Sequence, residues 1–381
     1  MRGGNSQITQ AGRQAEAIRN TLERIKLPPG FKISLFALVP GARAIAVGPQ
    51  GKVIFVGTLG TEVFAAAVST DPAIPPRVVE FAGSTGKKYP HGVCFSKNGV
   101  LFAAEQNRVL SFAAAEANYA EPKIAAKTIV EQGKLIPPED ESRNHTARVC
   151  RVGPGGKLYI SLGQPYNVPP PGELPGFNEW GIGGIVRMNQ DGTGREVFAR
   201  GIRNSVGMDF SPEDGTLWFT DNQADMMGDD IPPEELNRAP RPGLNFGFPW
   251  YGGGHIRTED YSSVTPPDGL VFPEIETQAH AANLGMAFYA GSQFPPKYKG
   301  GIFFAQHGSW NRTIRTGARV MFAPRNPDGS FDKAEIFAEG WLNKDGSFAG
   351  RPADAAQLQD GSLLVADDHA GALYRITYEG Q

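Results

Sequence analysis

SVGMDFSPEDGTLWFTDN, residues 205–222, reads as one hairpin: a short apolar strand, a turn carrying Gly215, and a second apolar strand. Short apolar runs rich in β-branched and aromatic residues, joined by a Gly/Pro/Asp turn, are the signal for paired strands. The unit recurs. AIAVGPQGKVIFVGT (44–58), HGVCFSKNGVLFAAE (91–105) and ARVCRVGPGGKLYISLG (147–163) precede it, and a stretched LGMAFYAGSQFPPKYKGGIFFAQHG (284–308) and PADAAQLQDGSLLVADD (352–368) follow. The turn glycines are Gly51, Gly99, Gly156, Gly215, Gly301 and Gly361, separated by 48, 57, 59, 86 and 60 residues. Repeats of this length built from short strands predict a propeller. Six copies predict an all-β protein, a six-bladed β-propeller.

Most copies are followed by a third strand, as in RVLSFA (108–113), GIVRMN (184–189), ARVMFAP (318–324) and ALYRITY (372–378). The sixth copy runs out one strand short, while FKISLFAL (31–38) has no hairpin of its own. That N-terminal strand is expected to complete the sixth blade and close the ring, which removes the exposed edges. Ahead of it, residues 11–26 carry Ala, Ile and Leu at helical spacing and stop at Pro28-Pro29-Gly30. The expected organisation is a helical extension over 1–27 and one propeller domain over 28–381.

Gly (48) and Pro (31) make up about a fifth of the 381 residues with no low-complexity tract, which fits many tight turns. A net charge of −3 argues against nucleic acid as the main partner. No run of eighteen apolar residues is present, so no membrane span is expected. The first twenty residues lack the apolar core of a signal peptide. Two cysteines, Cys94 and Cys150, are too few for a disulfide scaffold and fit no zinc spacing, so buried free thiols are expected. No CxxCH motif is present for a covalently attached haem.

Long irregular segments at 164–183, 223–250 and 251–282 interrupt the repeat and are expected to gather on one face, over the central channel. Acidic residues cluster at the start of the second, with Asp221 just before it and Asp225, Asp229, Asp230, Glu234 and Glu235 inside it, all within fifteen residues. Oxygen-rich loops suit a hard cation such as calcium. Arg203-Asn204 stands just before the same blade, and a guanidinium suits a carboxylate-bearing ligand.

GIRNSVGMDFSP (201–212), the loop DNQADMMGDD…PEELN…GLNFGFPW, HGSWNR (307–312) and the closing GRPADAAQLQDGSLLVADDHAGALYRITY resemble the six-bladed quinoprotein sugar dehydrogenases. This is the family of soluble glucose dehydrogenase and L-sorbosone dehydrogenase, and the resemblance covers about residues 29–378. It implies pyrroloquinoline quinone (PQQ) with calcium beside it, and a reaction in which a sugar or related alcohol or aldehyde passes hydride to PQQ. Electrons then leave to an external acceptor such as a cytochrome, and the compartment implied is the periplasm. By position in the matched motifs, His145 is the implied general base. Arg203, Asn204, Asn222, Arg312 and Arg351 are the implied cofactor-binding residues. The backbone carbonyls of Gln223 and Ala224 are the implied ligands of the cofactor's calcium. Asp229, Asp230 and Glu235 are candidates for a second, structural calcium, or else cap the PPEELN turn. The glucose dehydrogenase branch supports its histidine with an aspartate. Gln164 stands at that place here and would stabilise an imidazolium less. His91 and His307 are further candidates to line the channel.

Two other readings remain open on the sequence. A metal-dependent propeller hydrolase, lactonase-like, would need carboxylates and amides such as Asp209, Asp221 and Asn222 around a central metal. A propeller that only binds would explain the fold but not the grouping of His145, Arg203 and the acidic loop.

Overall fold

The structure is a computed structural model and describes residues 7–69, 71, 74–121 and 123–380. Among the described residues six blade sheets surround a central channel, antiparallel but for the short outer strand Leu244–Asn245 of blade three. The innermost strands are, in order, Ala44–Val47, Gly92–Phe95, Cys150–Val152, Met208–Phe210, Asn283–Phe288 and Pro352–Gln357. These are the first strands of the six repeats read from the sequence. Their hairpins turn where the glycines predict; Gly215, for example, has φ +69°, a region that an L side chain enters only at a cost. In the stretched fifth copy the left-handed residue is Gly300 rather than Gly301.

The apolar runs are continuous because both faces of every blade are buried. In blade one, Ala44, Ala46, Val53 and Phe55 pack with Val93, Leu101 and Phe112 of blade two. The alternate residues Ile45, Ile54 and Val56 pack with Leu364, Ala366 and Leu373 of blade six. Successive side chains on a strand point to opposite faces, so each strand serves two interfaces. The core is accordingly divided into clusters between neighbouring blades rather than gathered in one centre.

The ring closes as expected. Phe31–Leu38 pairs antiparallel with Ala372–Tyr378, in a register running from Phe31↔Tyr378 to Leu38↔Ala372. The Phe31 ring packs among Phe294, Tyr298, Phe337 and Tyr378, with centroids 4.8–5.2 Å away. The N-terminal helix is shorter than the sequence implies, Arg13–Leu22, and it does not lie clear of the ring. Its Ala15, Ile18 and Leu22 are buried in the cluster between blades five and six. Gln7–Ile8 also adds an outer strand to blade one.

Cys94 and Cys150 are joined in a disulfide, with Cα atoms 5.7 Å apart, which corrects the expectation of free thiols. Their separation of 56 residues is one blade repeat. They therefore occupy neighbouring positions on adjacent innermost strands, a proximity that a cysteine count hides. Two other junctions are tied by carboxylates at the same depth. Asp209 accepts from the Phe288 amide at 2.9 Å, and Asp354 accepts from the Ile45 amide at 2.8 Å. Closing a loop of this length restricts the unfolded chain, an effect of roughly 2–4 kcal/mol. Replacing both cysteines by serine, or adding reductant, is therefore expected to lower the midpoint of denaturant unfolding. An unchanged midpoint would mean that the bond leaves the unfolded chain unconstrained.

Candidate functional site

An antiparallel hairpin places the start of its first strand beside the end of its second. At one end of the channel these two positions carry polar residues in several blades. Arg43 precedes blade one; His145 and Gln164 flank the hairpin of blade three; Arg203-Asn204 and Asn222 flank that of blade four. His307 ends that of blade five, and Arg351 and Asp368 flank that of blade six. All of these but Gln164 and Asp368 line a cavity of about 430 Å³. All three long segments reach it: Asn167 braces it, Gln223, Asp225 and Glu234 line it, and so do His280 and Ala282. They gather on one face as the sequence implied.

His145 sits in a left-handed conformation, φ +50°, which costs a non-glycine residue about 1–3 kcal/mol and must be held by its surroundings. Arg148 supplies part of the hold, donating from Nη1 to the His145 carbonyl at 2.8 Å and from Nε to the Gln106 carbonyl at 3.0 Å. Gly163 supplies the room, since a Cβ there would stand 2.7 Å from the His145 Cβ and 2.6 Å from Asn204 Oδ1. The ring's Nδ1 donates to the Gln164 backbone carbonyl. The Gln164 side chain does not touch the imidazole. It turns to the loop, accepting from the Tyr166 amide at 2.9 Å and donating to the Tyr166 carbonyl. The supporting role that the sequence gave to this amide belongs to its backbone. Burial, and next the Arg203 guanidinium, lower the His145 pKa to about 3. The ring is thus neutral at neutral pH, and its Nε2 carries a lone pair with no partner among the described residues.

Arg203 is buried and fixed in orientation. It bonds Asp225 at 2.7 Å, the Asn167 side chain at 2.9 Å and carbonyl at 3.0 Å, and the Asn222 carbonyl at 3.1 Å. Asp221 receives the backbone amides of Arg203 and Asn204 at 3.0 and 2.7 Å, fixing the loop that carries both. Asn222 donates to the carbonyls of Asn204 and Asn283. Arg351 donates to the His307 and Gly308 carbonyls at 3.0 and 2.7 Å. Among the described residues, neither Arg143 nor Arg351 forms a salt bridge, so the cavity wall holds cationic charge without an acidic partner. That wall suits an anion.

The segment that Arg203 bonds at Asn222 and Asp225 also presents oxygen to the cavity. Gln223 and Ala224 are buried, and their backbone carbonyls accept no hydrogen bond among the described residues. Asn204 Oδ1, Gln223 Oε1 and Asn311 Oδ1 are buried without partners. Glu234 accepts from the Gln223 and Ala282 amides at 3.0 and 3.1 Å, and burial pushes its pKa up to about 8. Buried oxygen atoms left without donors fit a hard cation.

Other sequence candidates lie elsewhere. Asp229 is half-buried and Asp230 exposed, and they hold Thr313 and Arg312, whereas Glu235 is buried and accepts from Asn237 and Gly254. The three are not brought together, and no group of three or more His, Cys, Asp or Glu arranged for a metal occurs among the described residues. Arg312 does not line the cavity; it clamps the Asp229 carbonyl and Asp230. His91 is buried against the Arg148 carbonyl, off the cavity. Asp209 lies at the far end of the channel, and Asp221 lines neither cavity, so no central carboxylate ring forms. The sequence reading missed Arg43, Arg143, His280 and Asn311. The hairpin-end register marks Arg43, and Asn311 lies inside the HGSWNR stretch already singled out.

The fold is thus a six-bladed propeller whose channel is capped by a cavity lined with arginines and unpartnered oxygens. The profile of the family described as Glucose / Sorbosone dehydrogenase matches residues 93–309, and the chain belongs to that family. An uncharacterized protein of Borreliella burgdorferi is 34% identical over 245 residues, 64% of this chain and 63% of that protein. The match thus spans less than two thirds of that relative. In fold the chain is similar to the Trichoderma reesei carbohydrate-active enzyme of family AA12 (TM-score 0.76, 18% identity, 93% of this chain and 98% of that one). It is also similar to the PQQ domain of Coprinopsis cinerea pyranose dehydrogenase in its holo form (0.74, 17%, 93% and 97%). The apo form of the soluble aldose sugar dehydrogenase of Escherichia coli is a third such structure (0.64, 18%, 91% and 99%).

Proposed function

We propose that the protein is a PQQ- and calcium-dependent dehydrogenase that oxidises a sugar or a related alcohol or aldehyde. The observation that carries this reading is a neutral His145, its Nε2 free, facing an arginine-walled cavity beside unpartnered carbonyls. The wall fits a tricarboxylate, with Arg203, Asn204, Asn222 and Arg351 as the residues that would hold it. The floor fits calcium, with the Gln223 and Ala224 carbonyls as ligands. When bound, PQQ beside calcium would supply the acceptor for the hydride that leaves the substrate carbon. His145 Nε2 takes the substrate's hydroxyl proton, and the Gln164 carbonyl on Nδ1–H holds the ring in the required tautomer and steadies the imidazolium. Arg203, pinned by Asp225 and Asn167, keeps its charge oriented without reorganising during the reaction.

An external electron acceptor such as a cytochrome would reoxidise the enzyme. The disulfide fits an oxidising compartment such as the periplasm. No helix among the described residues is long and apolar enough to cross a membrane. The hydrolase reading has little support, since the carboxylates it needs do not converge.

The test is a PQQ titration of the purified chain with and without calcium. Binding is expected with calcium present and release on adding a chelator. Affinity unchanged in excess chelator would reject the calcium contact, and no PQQ binding under any condition would reject the assignment.

A further inference from the structure

His307 opens the HGSWNR loop, directly after the blade-five strand that ends at Gln306, and it lines the cavity. Nε2 lies 2.7 Å from Asp368 Oδ1, and the other oxygen of that carboxylate is paired with Arg43. This fixes the tautomer: Nε2 carries the proton and donates to the carboxylate. Nδ1 is left with the lone pair, and no residue among those described bonds it. A carboxylate behind an imidazole orients the ring and stabilises its protonated form. Among the described residues, two imidazoles that line the cavity keep one unbonded nitrogen, those of His145 and His307, and the His145 ring is backed only by a neutral carbonyl. His307 Nδ1 is the one with a carboxylate behind its ring.

We infer that His307 and Asp368 form a second proton-accepting dyad of the cavity, distinct from His145, that takes up the proton left behind when electrons depart to the external acceptor. This rests on the dehydrogenase reading for its reaction but not for its geometry. Oxidising CH–OH to C=O yields two electrons and two protons. One proton, from the hydroxyl, goes to His145. The other leaves the carbon together with both electrons and stays in the cavity once a one-electron acceptor has removed them. That proton bonds to His307 Nδ1, and the imidazolium is then paired with Asp368 until it loses the proton to water.

The charged groups facing the ring are Asp368, Arg43 and Arg351. Burial comes first, Asp368 opposes it, and Arg43 and Arg351 add to it, lowering the pKa to about 4. An anionic ligand against the two arginines cancels their repulsion and raises the ring's proton affinity. The dyad therefore becomes a stronger base when the cavity is filled.

Two measurements test it. Nitrogen NMR of the histidine rings in the full-length apoprotein, with His307→Gln used for assignment, is expected to show His307 as the Nε2–H tautomer. In Asp368→Asn, checked for cooperative unfolding, that tautomer preference is expected to be lost. A protonated Nδ1 in the wild type, or a tautomer unchanged in Asp368→Asn, overturns the dyad whether or not the protein binds PQQ. Stopped-flow reduction by substrate and reoxidation by a one-electron dye are then compared in His307→Gln. The ratio of the reoxidation to the reduction rate constant is expected to fall by about 10²-fold, the low end for a lost proton acceptor. An unchanged ratio, or a loss confined to reduction, overturns the inferred role. A wild type that binds no PQQ fails the dehydrogenase reading alone, because the NMR result stands apart from it.

Discussion

Replacing His145 by Gln is expected to leave PQQ bound and to lower kcat by about 10²–10⁴-fold, the usual worth of a positioned general base. The proton is taken in the transition state, so kcat should fall more than substrate affinity. Only the neutral ring can accept the proton, so the rate should drop as pH falls through the ring's pKa. Without an anionic ligand that pKa is lowered to about 3 from an ordinary 6.5, first by burial and then by Arg203. Carboxylates bound against Arg203 remove the second cause but not the first. The acid limb of the rate profile should therefore lie above about 3 and below 6.5, and should vanish in His145→Gln. Near-normal turnover of that variant with PQQ bound would reject the assignment. So would a limb above 6.5, or the loss of substrate oxidation appearing in His91→Gln, whose ring is off the cavity. Gln164→Asp is expected to leave that limb in place, because the Gln164 side chain bonds Tyr166 and not the imidazole.

Removing residues 1–39 is expected to abolish cooperative unfolding and to give aggregation. The deletion takes away Phe31–Leu38, uncovers the whole edge of Ala372–Tyr378 and strips Phe31 from its four aromatic partners. Removing only 1–27 should leave a folded ring over 28–381, but not an unaffected one. Ile18 and Leu22 are buried in the cluster between blades five and six. Burial of two such side chains is worth about 3–6 kcal/mol. Calorimetry of the two truncations separates the contributions. Identical melting of both would mean that the closing strand does not govern the integrity of the ring.

The repeat was legible because the turn glycine and its flanking apolar strands recur at blade spacing. The outer strands were not. Arg77–Phe81, Lys127–Val130 and Glu196–Arg200, the fourth strands of their blades, mix polar with apolar residues and so give no continuous apolar run. Glu234–Ala239 was hidden for the opposite reason: EELNRA reads as a charged loop, yet it is the third strand of blade four, with both glutamates buried. Motif position named His145, Arg203, Asn204, Asn222 and Arg351, and the structure places all five on one cavity. Arg312 stood inside a matched motif and still points away, because its guanidinium is engaged by the Asp229–Asp230 turn. The disulfide and the His307–Asp368 pair join residues about one blade apart in sequence, which the packing of adjacent blades brings together.

Closure of the ring by its first strand also sets a schedule for making the protein. Phe31 emerges early from the ribosome, but its partner Tyr378 lies at the other end of the chain. At ~5–20 residues per second the strand waits roughly 17–70 s before its neighbour exists. Throughout that time Phe31–Leu38 offers open backbone donors and acceptors, and its aromatic anchor is unsheltered. Five blades can be complete while the molecule is still an open arc. Vulnerability to misassembly is thus concentrated in one interval and one segment, and a holdase that recognises an extended apolar strand would find its target at residues 31–38.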